Sequence, residues 1–156
     1  MQFLLAAVGR RMPAWVGQAW SDYSGRFPRG LTLELREIPL ARRGRNADVR
    51  ALAAAEGEAL LAAVPAGSRI VALDGGGRQW STAELAERLE TWMQEEKGVG
   101  FLVGGPDGLA PECLERAHDT WSLGRLTLPH PMVRVILAEQ LYRAWTITRN
   151  HPYHRE

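Results

Sequence analysis

The 156-residue sequence predicts an α/β sandwich built on a mostly parallel sheet. Short apolar runs alternate with longer stretches whose apolar residues recur at helical spacing. Two of the apolar runs end in glycine loops, Gly75-Gly76-Gly77 and Gly104-Gly105-Pro106, and a third apolar stretch stops at Pro129-His130-Pro131. The composition, 46% hydrophobic and 24% charged, is that of one globular domain with a core large enough to stand without staples, so a single domain over 1–156 is expected.

The elements follow in order. Gln2 to Val8 reads as a buried strand, turned at Gly9. Pro13 suits the first position of a helix, where its missing N–H costs nothing. Val16, Ala19, Trp20, Tyr23 and Phe27 give that helix one apolar face, and Gly25 and Pro28 end it. Leu31, Leu33 and Leu35 alternate with polar residues, which predicts a second strand to about Ile38. A basic loop, Pro39 to Asn46, leads to an alanine-rich helix over Ala47 to Ala63. Arg69 to Leu73 is a short strand running into Asp74 and the glycine loop. Ser81 with Glu84 three residues later is a capping box, so a helix is expected from Thr82 to about Glu96. Val99 to Val103 is a buried strand, Pro111 to about Thr120 a helix, and Leu123 to Leu128 a strand or extended loop. The last helix spans roughly Met132 to Ile147, with an apolar stripe that reads equally as core or as a dimer face.

Several function classes are excluded. The single Cys113 allows no disulfide framework and no multi-cysteine zinc site, and no paired Cys/His spacing supports a metal. There is no G-x-G-x-x-G fingerprint and no G-x-x-x-x-G-K-[ST] phosphate loop. No apolar run approaches a membrane span, and Met1 to Val8 reads as a strand rather than a signal peptide, so no membrane association and a reducing cytoplasm are expected.

Net charge is only +1, so its distribution carries the information. Arg42, Arg43 and Arg45 form a basic loop, and Arg134, Arg143, Arg149, His151, His154 and Arg155 enrich the last quarter. Basic groups that converge on one face bind RNA even on a neutral protein. In parallel sheets ligands bind at the carboxyl ends of strands, so the two glycine loops and Leu123 to Pro131 are the default site. Gly-Gly-Pro by itself reads as a tight turn, although glycines also let a flat ligand approach the backbone. Leu123 to Pro131 reads either as a buried strand with a rigid turn or as the wall of an adenine pocket. The tail Asn150-His-Pro-Tyr-His-Arg-Glu156 packs two His, a Tyr and an Arg beside Pro152, where chain ends are usually plain.

These motifs, in this order, resemble one family. Gly104-Gly105-Pro106-Asp107-Gly108-Leu109, Leu126-Thr-Leu-Pro-His-Pro131, Arg134, Glu139, Leu141-Tyr-Arg-Ala-Trp145 and the tail look like the signature of the ribosomal RNA large subunit methyltransferase H family. Ala7-Val-Gly9, Met12-Pro13 and Arg43-Gly-Arg-Asn-Ala-Asp48 are similar to it as well, so the resemblance runs from end to end. One departure is Gly75-Gly76-Gly77, richer in glycine than the family pattern.

The resemblance implies a SPOUT fold: a mostly parallel sheet with helices on both faces and a deep C-terminal trefoil knot. It implies a homodimer with sites at the interface. It also implies S-adenosylmethionine-dependent methylation of N3 of a pseudouridine in bacterial 23S ribosomal RNA, on assembled ribosomes. The cofactor would lie against Leu73, Gly104, Gly105, Leu123, Gly124, Arg125, Leu126, Thr127 and Leu128. The candidates for catalysis are His154, Arg155, Tyr153 and Arg143. Histidine is the residue type that ionises near neutrality, which makes His154 the proton acceptor of choice. Arg42, Arg43 and Arg45 would bind RNA, and no metal is expected. Other readings are a SPOUT enzyme acting on a ribose oxygen or a transfer-RNA base, a non-enzymatic ribosome-associated factor, and a small-molecule enzyme.

Overall fold

A computed structural model gives the structure of residues 1–155; Glu156 and the side chain of Arg155 lie outside the described residues. Five strands form one sheet in the order β2-β1-β4-β3-β5, with every pairing parallel. They are β1 (Gln2–Val8), β2 (Thr32–Ile38), β3 (Arg69–Gln79), β4 (Gly98–Val103) and β5 (Asp119–Ser122). Each strand is followed by its helix: α1 (Ala14–Ser24), α2 (Val49–Ala63), α3 (Thr82–Glu95), α4 (Pro111–Arg116) and α5 (His130–Thr148). A 3₁₀ turn, Pro152–Arg155, ends the described chain.

β1 and β4 lie in the interior of the sheet and are apolar almost throughout, because helices cover both of their faces. Phe3, Leu5, Ala7, Phe101 and Val103 point to one face, against Trp20 of α1, Leu85 and Leu89 of α3 and Leu137 and Leu141 of α5. Leu4, Ala6, Val8 and Leu102 point to the other, against Leu60 and Leu61 of α2 and Cys113 of α4. Burial of each such leucine or phenylalanine stabilises the fold by about 1.5–3 kcal/mol. Two helices start on side-chain caps. The Asp48 carboxylate accepts from the amides of Arg50 and Ala51, and Ser81 with Glu84 forms the expected capping box.

The structure differs from the sequence-based expectation in four places. β3 does not end at Leu73 but continues through the glycines to Gln79, with a register break that pairs both Leu73 and Arg78 with Trp121. The residues between them form a bulge. A Cβ on Gly77 would sit 2.6 Å from the Thr120 carbonyl, so the glycine lets the two backbones cross. α4 stops at Arg116 rather than near Thr120, because His118 is drawn into the sheet. Its amide donates to the Ile70 carbonyl at 2.8 Å and its Nδ1 accepts from the Ile70 amide at 2.9 Å. β5 therefore occupies Asp119–Ser122, and Leu123 to Leu128 is a loop. Finally, Pro129-His130-Pro131 starts α5 rather than only stopping what precedes it: Pro129 is the N-cap, and Pro131 falls in the first turn, where no N–H is missed.

α5 finds much of its apolar contact within its own chain. Leu137, Ala138, Leu141 and Ala144 are fully buried, and Trp145 packs on Phe27 and Tyr142. The core reading of this helix therefore applies to most of its length.

Candidate functional site

At the carboxyl edge of the sheet, the ends of β3, β4 and β5 enclose a cavity of about 660 Å³. That lies within the roughly 300–1,000 Å³ of small-molecule sites. Every residue expected to touch a cofactor lines it: Leu73, Gly104, Gly105, Leu123, Gly124, Arg125, Leu126, Thr127 and Leu128. His130, within the stretch expected to form the site, also lines it, and so do Gln79, Trp121, Ser122 and Val133, which were not expected there. Trp121 was missed because it falls between the helix expected to end near Thr120 and the extended stretch expected from Leu123, where no strand was foreseen. His130 stood in view inside its proline pair. A larger groove of about 850 Å³ runs along α3, but Arg69, Glu84, Glu87, Arg88, Glu95 and Glu96 make its walls charged, and of the five strands it meets β3 alone. Strand-end geometry decides for the first cavity. Among the described residues no cluster of His, Cys, Asp or Glu could hold a metal.

The cavity wall is fixed from behind. His130, at the start of α5, is hydrogen-bonded through Nε2 to the Gly104 carbonyl. A carbonyl only accepts, so Nε2 carries the proton. A Cβ on Gly105 would lie 2.9 Å from Glu56 Oε2 and 3.1 Å from Val8 Cγ1. Packing against Val8 and Glu56 therefore requires glycine at Gly105 independently of any ligand. Gly75 and Gly124 are different, since a Cβ at either meets nothing within 4 Å.

Of the three arginines in the basic loop, Arg43 does something other than face solvent. Its guanidinium donates to Asp107 at 2.7 and 3.0 Å, to Glu56 at 2.8 Å and to the Ala41 carbonyl at 2.9 Å. The bonds to Asp107 and then to Glu56 push its pKa further up, so it stays charged. Glu56 is 5% exposed, so Arg43 is the counter-ion of a buried carboxylate. It thus ties the basic loop, α2 and the glycine loop together. Arg42 and Arg45 are exposed and have no ion-pair partner among the described residues. Arg43→Ala should therefore speed hydrogen exchange over Gly104 to Leu109 and weaken ligand binding in the cavity, while Arg42→Ala with Arg45→Ala should do neither. Equal exchange in both variants would remove the clasp.

The tail lies elsewhere. Tyr153 sits edge-on against Tyr142 with ring centres 4.8 Å apart, and its hydroxyl donates to Glu139 at 3.2 Å. Arg143 donates to the same carboxylate oxygen at 2.8 Å and stands over the Tyr153 ring at 5.0 Å, with Arg26 at 5.7 Å. Burial, the bond with Tyr23 and the nearby Glu139 push the Tyr153 phenol well above its ordinary range. His154 is half-buried, with Nδ1 shielded and without a hydrogen-bond partner among the described residues. Arg155, the fourth candidate, has its side chain outside the described residues. Glu139 lies nine residues beyond His130 on α5. A rise of 1.5 Å per residue separates the two by roughly 13 Å along the helix. Tyr153, His154 and Arg143 are thus brought together with one another, but none lines the cavity of its own chain.

A family model described as "Predicted SPOUT methyltransferase" matches residues 1–154. The structure of a probable methylase family protein from Haemophilus influenzae Rd KW20 is similar at a TM-score of 0.59 and 16% sequence identity, over 95% of this chain. This chain spans 66% of the length of that one. At this identity the likeness is one of fold.

Proposed function

The chain belongs to the SPOUT methyltransferase family, and from that premise we propose that it transfers the methyl group of S-adenosylmethionine to N3 of a pseudouridine in 23S ribosomal RNA. The observation that carries this reading is the convergence of all nine expected cofactor residues on one cavity at the strand ends. The cavity also fits the cofactor chemically. Leu73, Val103, Leu123 and Trp121 offer apolar faces for a flat adenosine, and Thr127 and the loop backbone offer hydrogen bonds at its edges, while Ser122 is spent on holding Gly124.

When bound, S-adenosylmethionine supplies an electrophilic methyl group, so the protein's share is positioning and activation of the acceptor. An imide nitrogen is a weak nucleophile until it loses its proton. Tyr153 keeps its proton at neutral pH, which makes it a hydrogen-bond donor rather than a base. Glu139 already accepts from Arg143, Tyr153 and Gln140 and serves to orient them. His154 is left as the proton acceptor, with Arg143 and Arg155 to steady the uracil oxygens or RNA phosphates.

In this reading the tail reaches the cavity of a two-fold partner. Leu126 in the cavity wall and Met132, next to the wall residue Val133, are 82% and 37% exposed, an apolar surface that a second copy would cover. The same reading has the C-terminal segment threaded through a loop as a trefoil knot, an arrangement that would hold three loops against one ligand. Sedimentation at micromolar concentration should give a homodimer; a monomer would leave tail and cavity apart. The central experiment is transfer of a radiolabelled methyl group to naked RNA, separate subunits and whole ribosomes, followed by nucleoside analysis. N3-methylpseudouridine from ribosomes is the expected product. A methylated ribose or transfer-RNA base would reassign the substrate, and no transfer with intact ribosome binding would make the protein a non-enzymatic factor.

A further inference from the structure

Because all five strands are parallel, every loop that follows a strand opens on the edge that carries the cavity. Apart from the clasped Arg43, these loops hold five arginines: Arg10 and Arg11 after β1, Arg42 and Arg45 after β2, and Arg125 after β5. All five are exposed, and among the described residues none has an ion-pair partner. The same loops hold only two carboxylates, and both are engaged. Asp48 caps α2, and Asp107 is held by Arg43. Of the acids at the strand ends, Asp74 in the β3 bulge accepts from the Gly76 amide, and Glu37 near the end of β2 is paired with Arg134. With Arg43 these loops carry six arginines against two carboxylates, so a protein of net charge +1 presents one edge with an excess of positive charge.

The loops that carry this charge are built in place. The buried Arg134 of α5 donates to the Gly9 carbonyl and to Glu37, each at 2.7 Å, and so fixes the start of the β1 loop against the end of β2. Beyond Gly9 the chain puts Arg11 in the left-handed region, at φ 61°. Strands lie about 4.8 Å apart, so the charge extends over roughly 19 Å from β2 to β5, across the cavity mouth. Guanidinium groups on such a row suit the phosphates of a nucleic acid strand, and their planes suit unstacked bases.

We propose that this edge is an RNA-docking surface on which Arg10 and Arg11 hold the backbone on the β1 side of the cavity and Arg125 holds it on the β5 side. The inference rests on the reading of the cavity as the place where an RNA base is modified. It moves the RNA contacts from one loop to three.

The test replaces Arg10 with Ala and Arg11 with Asn, a residue that tolerates the left-handed backbone. Binding of labelled protein to purified large-subunit RNA and to ribosomes is measured across a range of KCl concentrations. The double variant should bind more weakly to both, with a log–log salt slope shallower by roughly 0.7–0.9 per lost contact. Its melting temperature and its calorimetric affinity for S-adenosylmethionine should match the unaltered protein. Should the double variant fold poorly, Arg10→Ala alone should still reduce the slope by about one contact. Equal slopes in variant and parent overturn the proposal. So does a parent that binds neither RNA nor ribosomes, or one displaced as readily by polyglutamate as by RNA. A parent that shows the slope difference but binds no S-adenosylmethionine would sink the methyltransferase reading and leave the RNA surface standing.

Discussion

Removing Tyr153 to Glu156 is expected to abolish methyl transfer while leaving the protein folded and most of its cofactor affinity in place. The tail touches α1 and α5 through Tyr153, which meets Tyr142, Glu139, Arg143 and Arg26. Among the described residues the tail contributes nothing to the wall of its own chain's cavity. Folding and cofactor binding thus depend on residues that the deletion spares. The finer variant is His154→Ala, which should slow transfer by roughly 10²–10⁴-fold if the imidazole accepts the acceptor's proton. A pH–rate profile separates roles: loss of a base removes one ionisation from the curve, whereas loss of a positioning group lowers the curve without reshaping it. Tyr153→Phe should do the latter, because its phenol stays protonated. A truncated protein that methylates ribosomes at the parent rate would end the tail's part in the chemistry.

Gly105→Val should cost both cofactor affinity and stability. The first added carbon would meet Glu56 Oε2 at 2.9 Å and Val8 Cγ1 at 3.1 Å, and the valine branches would crowd further. Val8 is fixed in β1, and Glu56 is held by Arg43, so neither gives way cheaply. Overpacking of this kind costs about 1–3 kcal/mol. That should appear as a fall of several degrees in melting temperature. The displaced glycine loop should reduce S-adenosylmethionine affinity at least tenfold by calorimetry. Gly75→Ala is the control, because its Cβ would meet open space: stability should hold. A Gly105→Val protein with unaltered melting and affinity would refute this account of the loop.

Much of the fold was legible because the residues that build it act locally or repeat at a fixed period. β1 and β4 are apolar on both faces, Leu31, Leu33 and Leu35 alternate, and Ser81 with Glu84 marks the start of α3 within one residue. What escaped depends on partners far along the chain. Asp119 to Ser122 is strand because β3 supplies its hydrogen bonds and Arg69 its counter-ion, at 2.8 Å from Asp119. Nothing in the local sequence distinguishes it from the end of a helix. Gly75 to Gly77 reads as a turn in isolation and is carried within a bulged strand only by that same neighbour. In the site, the glycine loops and Leu123 to Leu128 followed from strand ends and from the family motifs. The bonding of Arg43 to Glu56 and Asp107 did not, since a buried carboxylate in an alanine-rich helix gives no outward sign that it requires a cation.

The strand order also sets when the molecule can assemble. β1 is the first strand made, and its neighbour β2 follows after one helix. Its other edge stays open until β4 arrives, since Gln2 pairs with Gly98. β3, made earlier than β4, has no edge to join until then. Long-range parallel pairings close their loops before any contact rewards them, so they form slowly. During synthesis the most apolar strand therefore waits, half-paired, while some sixty residues beyond β2 emerge, a span set by the distance from Ile38 to Gly98. That interval is when the nascent chain is most open to edge-to-edge misassociation and has most need of a chaperone.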